Sequence, residues 1–119
     1  MKALYKIVFN GVVIGASLLE AGDPPVGRVS GIIKHIKNTD EFSFFILQCG
    51  GTESSEEYRL ELNSHFLVVS ADDSTIPYAG GYILWYPELD EAIIELVGIP
   101  YPEYGELFPE HVAKYKKQL

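Results

Sequence analysis

The sequence predicts a mainly β fold, an antiparallel β-sandwich or partly open barrel with a short C-terminal α-helix. Three observations predict it. Short segments of alternating or β-branched and aromatic residues recur along the chain with turn residues between them. An Asn10-Gly11 pair near the start suits a type I′ hairpin turn, because both residues tolerate positive φ. The last dozen residues change to a helical period.

A two-residue turn at Asn10-Gly11 would set Phe9 against Val12, Ile7 against Ile14, Tyr5 against Ala16 and Ala3 against Leu18, all apolar pairs on one face. Glu20 to Gly27 is rich in Gly and Pro and reads as a loop. Val29 to Ile36 reads as a strand, bulged at Gly31. Phe42 to Leu47 is apolar on both faces and reads as a covered central strand. Gly50 through Glu57 is a polar loop. Tyr58 to Leu62 alternates as a half-buried strand, and Phe66 to Ser70 is another. After a turn at Asp72-Asp73-Ser74 and a loop from Pro77 to Gly81, Tyr82 to Tyr86 pairs as a hairpin with Ala92 to Val97. Pro109 fits the first position of a helix. Phe108, Val112, Tyr115 and Leu119 share one face of that helix, and its late lysines complement the helix dipole. Seven or eight strands and one helix, arranged as one domain over 1–119, follow.

The chain of 119 residues, 47% hydrophobic and 22% charged, is long enough to bury a core without metals or disulfides. A lone Cys49 suggests a reducing compartment. No apolar run approaches the roughly 20 residues that span a bilayer, and residues 1–9 do not read as a secretory signal. A cytoplasmic protein is expected.

Charge is unevenly distributed within the net −8. Residues 53–110 carry thirteen acidic side chains and only Arg59, a local charge of −12. Residues 1–52 sum to +1 and residues 111–119 to +3. Such a field repels nucleic acid and anionic lipid and attracts basic proteins.

Motifs for catalysis are missing. Neither Ser17 nor Ser30 lies in a Gly-x-Ser-x-Gly elbow, and both fall in expected strands. Gly50-Gly51 and Gly80-Gly81 lack the Gly-Lys-Ser/Thr of a phosphate loop and read as turns. His35, His65, His111 and Cys49 are scattered singly, without metal-ligand spacing. Asp72 and Asp73 lack the calcium-loop spacing and suit a side-chain-capped turn. His111 is expected on the helix surface and Cys49 as a small buried hydrophobe. No catalytic residue, metal or cofactor is expected. An enzyme would need two histidines and a carboxylate brought into one cleft by the fold.

The stretch from Pro87 to Glu110 interleaves acids with aromatic rings. Carboxylates steer a basic partner over distance, and tyrosines supply stiff contact area. Glu88, Asp90, Glu91, Glu95, Tyr101, Glu103, Tyr104, Glu106 and Glu110 are therefore the candidate partner-binding residues. A small-molecule-binding or sensor barrel, with Trp85 in a pocket wall, is the alternative.

Val13 to Gly27 (VIGASLLEAGDPPVG), placed after the Asn-Gly hairpin turn, resembles a pattern found among small bacterial immunity proteins of polymorphic toxin and contact-dependent inhibition systems. Ile99 to His111 gives a fainter echo. The resemblance covers about a quarter of the chain and implies a scaffold, since Asp23-Pro24-Pro25 is a rigid turn without chemistry. It implies a monomer that binds and neutralises a basic cytotoxic domain, such as a nuclease, with no nucleic-acid or membrane partner of its own.

Overall fold

The computed structural model describes residues 4–36 and 39–119. Among the described residues, nine strands run β1 (Tyr5–Phe9), β2 (Val12–Ser17), β3 (Ala21–Asp23), β4 (Arg28–Ile32), β5 (Thr52–Glu53), β6 (Tyr58–Glu61), β7 (Phe66–Val69), β8 (Gly80–Tyr86) and β9 (Glu91–Val97). The same residues form three α-helices, α1 (Thr39–Gln48), α2 (Glu103–Leu107) and α3 (Pro109–Lys117). The strands form two antiparallel sheets, one of three in the order β2-β1-β7 and one of six in the order β3-β4-β9-β8-β6-β5. The arrangement is a mainly β, sandwich-like fold with a short C-terminal helix. The sheets meet through paired hydrogen bonds between Ala16 and Lys34 at 2.9 and 2.6 Å. No helix among the described residues is long and apolar enough to cross a membrane.

Alternation along β8 and β9 fixes which face is the core. Ile83 and Trp85 of β8 and Ala92, Ile94 and Leu96 of β9 point inward and are almost fully enclosed, together with Ile7, Phe66 and Val68 from the smaller sheet. Trp85 joins an aromatic cluster through Phe42. Its ring meets the edge of Phe42 at 5.1 Å, and its Nε1–H donates to the Ser43 hydroxyl at 2.8 Å. At another end of the core, Phe108 stacks among Tyr5, Tyr104 and His111.

Several local expectations are corrected. Phe42 to Leu47 is the body of α1, not a central strand. Phe42 and Ile46 are buried four residues apart while Phe44 is 63% exposed, so burial follows the helical period and not the strand period. Asp40 and Glu41 in the first turn favour that helix through its dipole. The hairpin turn forms with Asn10 and Gly11 at φ 48° and 81°, and Phe9 pairs with Val12. A bulge then shifts the register so that Ile7 faces Gly15 and Tyr5 faces Ser17. The shift brings Ala16 into its bridge with Lys34. The expected Ala3 to Leu18 pair lies outside the described residues.

The loop from Glu20 to Gly27 contains the short β3 and a single 3-10 turn at Pro24–Val26. Gly31 carries no bulge; β4 pairs in unbroken register with β9, and the close approach of Ser17 explains the missing side chain. His35 lies beyond β4, at φ 60°, and not within a strand. Gly80-Gly81 opens β8 instead of forming a turn. Cys49 is half-buried.

Pro109 does start α3. Phe108 is fully buried and Val112 and Tyr115 are half-buried, but Leu119 projects into solvent. His111 is the surprise on this helix. It is only 5% exposed, not on the surface, and its Nε2–H donates to the Leu19 carbonyl at 2.8 Å while its ring stacks on Phe108. The bond satisfies a polar group that burial would otherwise penalise.

Candidate functional site

The inward faces of β4, β9, β8 and β6 are filled by the core, which leaves their alternate residues on the opposite face. The helices pack elsewhere: α1 on the Trp85 side, and α2 and α3 near β3 and the turn after it. The outward face is therefore a broad sheet surface of half-buried and exposed side chains.

Strand register arranges this face in rows. Ile32, Ile93, Leu84 and Arg59 lie side by side across β4, β9, β8 and β6. The next row holds Ser30, Glu95, Tyr82 and Glu61. On the other side of the aliphatic row, Glu91 faces Tyr86. Glu57, just before β6, completes that row, its Oε1 accepting from the Tyr86 hydroxyl at 2.8 Å. Each tyrosine thus stands between two glutamates.

Hydrogen bonding to Glu95 raises the Tyr82 phenol above its ordinary range, and Glu57 does the same to Tyr86. A carboxylate acceptor favours the protonated phenol. Cations answer the acids unevenly. The Arg59 guanidinium lies 4.0 Å from the centre of the Tyr82 ring while its Nε bonds Glu61 Oε1 at 2.9 Å. Arg28 Nε approaches Glu95 Oε2 at 3.7 Å.

The candidate residues from the sequence divide between regions. Glu91 and Glu95 lie on the open sheet face, and Glu88 and Asp90 are exposed at the turn joining β8 to β9. Glu103 and Glu106 belong to α2 and Glu110 to α3. Tyr101 is 55% exposed, with its hydroxyl bonded to the Pro24 carbonyl at 3.2 Å. Tyr104 is fully buried and donates to the Arg28 carbonyl at 2.8 Å, so its ring packs the chain after β9 onto β4 and offers no contact surface.

Sequence reasoning missed Tyr82, Glu57, Leu84, Ile93, Ile32, Arg28 and Arg59 as members of one surface. The alternation of Tyr82, Leu84 and Tyr86 with Ile83 and Trp85 was a usable signal for β8. Pairing of β8 with β6 and of β9 with β4 was not readable, and without it the rows cannot be drawn.

Burial, then the nearby Tyr101 and the charges of Asp23 and Glu110, push the Tyr104 phenol from 10.0 up to about 12. The fold favours the protonated phenol, so its contribution is whole below pH 10 and is lost as pH climbs through about 12. Tyr104→Phe is expected to flatten the alkaline fall of the urea midpoint in this window, at a cost of about 1 kcal/mol near neutrality for the lost bond. Urea titrations between pH 8 and pH 12 measure both; an equally steep alkaline fall in the variant would contradict the assignment.

A concavity lies between the loop after β7 and helices α2 and α3, lined by Tyr5, Ser70, Asp72, Glu106 and Glu110. Asp72 accepts from the Ser70 hydroxyl and from the Ser74 N–H, which hold its carboxyl below the usual range. The segment is the side-chain-capped turn that its composition suggests. Among the described residues no three His, Cys, Asp or Glu side chains cluster in a way that could hold a metal ion. His65 is exposed and bonded to Asn10, whereas His111 is enclosed against Leu19. Comparison of the chain with protein-family models, with curated proteins and with solved structures finds no match.

Proposed function

We propose that this chain works by capturing a cationic protein on the open face of its six-stranded sheet, as a cytoplasmic, monomeric immunity protein that neutralises a basic cytotoxic domain. A nuclease domain suits the reading well, because a groove that holds phosphate is cationic and an acidic surface can occupy it. The resemblance of Val13 to Gly27 to immunity proteins supplies the biological class. The observation that carries the reading is the outward sheet face itself, with an aliphatic row between two tyrosine rows and glutamates on both sides of each ring. That composition combines an apolar centre with a charged surround, the usual anatomy of a protein interface. Binding of this kind requires no reactive group.

The small-molecule alternative has less behind it. Trp85 is 2% exposed and bonded to Ser43, so it is packing and not the wall of an opening.

Co-expression with the product of the adjacent open reading frame tests the biological class. Protection of cells from that product, with a complex on size-exclusion chromatography, is the expected result; absence of both overturns it. For the cognate pair, reversing Glu91 and Glu95 to lysine is expected to lower the association rate about tenfold or more at low ionic strength and to flatten its salt dependence. Stopped-flow rates unchanged by the double reversal would exclude this face.

A further inference from the structure

The two tyrosine rows are alike in residues but not in occupancy. Tyr82 has Glu95 opposite it on β9 and Glu61 opposite it on β6. Tyr86 has Glu91 opposite it on β9 and Glu57 bonded to its hydroxyl. The first row is already satisfied from within the chain: Arg59 covers the Tyr82 ring and pairs with Glu61, and Arg28 pairs with Glu95. In the second row, Glu57 accepts one bond from the Tyr86 hydroxyl, and no described cation lies within ion-pair distance of Glu57 or Glu91.

From this we infer that the Glu57–Tyr86–Glu91 row is a seat for one arginine side chain of the partner, its guanidinium laid on the Tyr86 ring and bonded to the flanking carboxylates. The inference rests on the reading of this face as the surface that captures a cationic protein. Charge complementarity and an internal template support it. The neighbouring row displays the occupant that a tyrosine between two glutamates accepts in this fold, and that occupant is a guanidinium. An arginine suits the seat better than a lysine, because a planar guanidinium can stack on the ring and keep its edge donors for carboxylates, while an ammonium is a compact, strongly hydrated charge. The aliphatic row of Ile32, Ile93 and Leu84 runs alongside and would be covered by the same partner.

The test is an NMR titration of the isotopically labelled full chain with a tetra-arginine peptide, and with tetra-lysine as comparator. The expected result is movement of the Tyr86 ring resonances and the Glu57 and Glu91 amides, with tetra-arginine bound about threefold or more tighter than tetra-lysine. Glu57→Gln with Glu91→Gln is expected to weaken tetra-arginine about tenfold. Tyr86→Phe keeps the stacking surface and should retain most of the affinity, whereas Tyr86→Ser should lose it. One-dimensional spectra of each variant establish that it is folded, and the glutamine pair carries the test if Tyr86→Ser is not. Equal affinity for the two peptides, or undiminished affinity in the glutamine pair, overturns the arginine seat. Shifts confined to the Glu88 and Asp90 turn or to α2 and α3 overturn it too, but leave capture of cations standing. No shift anywhere at low ionic strength overturns the seat and the capture reading together.

Discussion

Trp85→Ala is expected to cost about 3–5 kcal/mol, the usual range for emptying a large aromatic site in a core. Trp85 is 2% exposed, meets Phe42 edge to face and anchors Ser43 of α1, so the truncation removes contacts from a strand and a helix at once. The Ser43 hydroxyl also loses its donor. A loss of this size is a large part of the roughly 5–15 kcal/mol typical of a folded domain. Because Trp85 is the single tryptophan, far-UV circular dichroism, not fluorescence, must follow the urea transition. Trp85→Phe keeps most of the ring and should lose about half as much, in line with the gentler cost of aromatic replacement. A loss below about 1 kcal/mol for the alanine variant would mean that this enclosed site is not tightly packed.

Gly27→Ala is the second large effect, and its cause is backbone geometry. Gly27 closes the 3-10 turn of Pro24–Val26, with its N–H bonded to the Pro24 carbonyl at 3.0 Å and its φ at 63°. It also lies directly against the strand exit at Ile99, whose N–H donates to the Gly27 carbonyl at 3.0 Å. A Cβ at this position would stand 2.5 Å from the Ile99 carbonyl oxygen and 2.9 Å from its nitrogen, so backbone would have to move. Gly11 provides the control. It too has a positive φ, 81°, but a Cβ there would meet nothing within 4 Å. Gly11→Ala should cost about 1 kcal/mol for the left-handed conformation alone, while Gly27→Ala should cost about 2–4 kcal/mol. The difference between the two urea transitions isolates the steric part. Equal losses at both sites would show that the Ile99 contact yields freely.

Much of this fold was legible wherever side chains alternate. β6, β8, β9 and the turn between β1 and β2 declare themselves through period-two patterning and an Asn-Gly pair, and α3 through Pro109 and its terminal lysines. α1 was illegible for a physical reason. Phe44 and Leu47 are apolar yet exposed, so Phe42 to Leu47 reads as one continuous hydrophobic run, and a short run of that kind does not reveal its own period. β3 is three residues long and owes its existence to β4, not to its own composition. His111 was misplaced because its burial depends on the Leu19 carbonyl, 92 residues away in sequence. The candidate site suffered from the same limit. Glu91 and Glu95 were legible as acids beside aromatic rings, but Glu57 joins them only because β6 returns to lie beside β8.

The position of β9 in the six-stranded sheet has a consequence for how the molecule comes into being. It is the last of the nine described strands, yet it lies in the interior of the sheet, flanked by β4 and β8. On a ribosome, β4 would emerge and wait without a neighbour on that side until Val97 had cleared the exit tunnel, with Val29 unable to find Leu96. The hairpins can zip locally, but the pairing of β4 with β9 joins segments more than sixty positions apart and has to wait for β9. Val29 and its neighbours on β4 therefore stay uncovered on that side until β9 has been made, and that interval is when misassociation competes with folding.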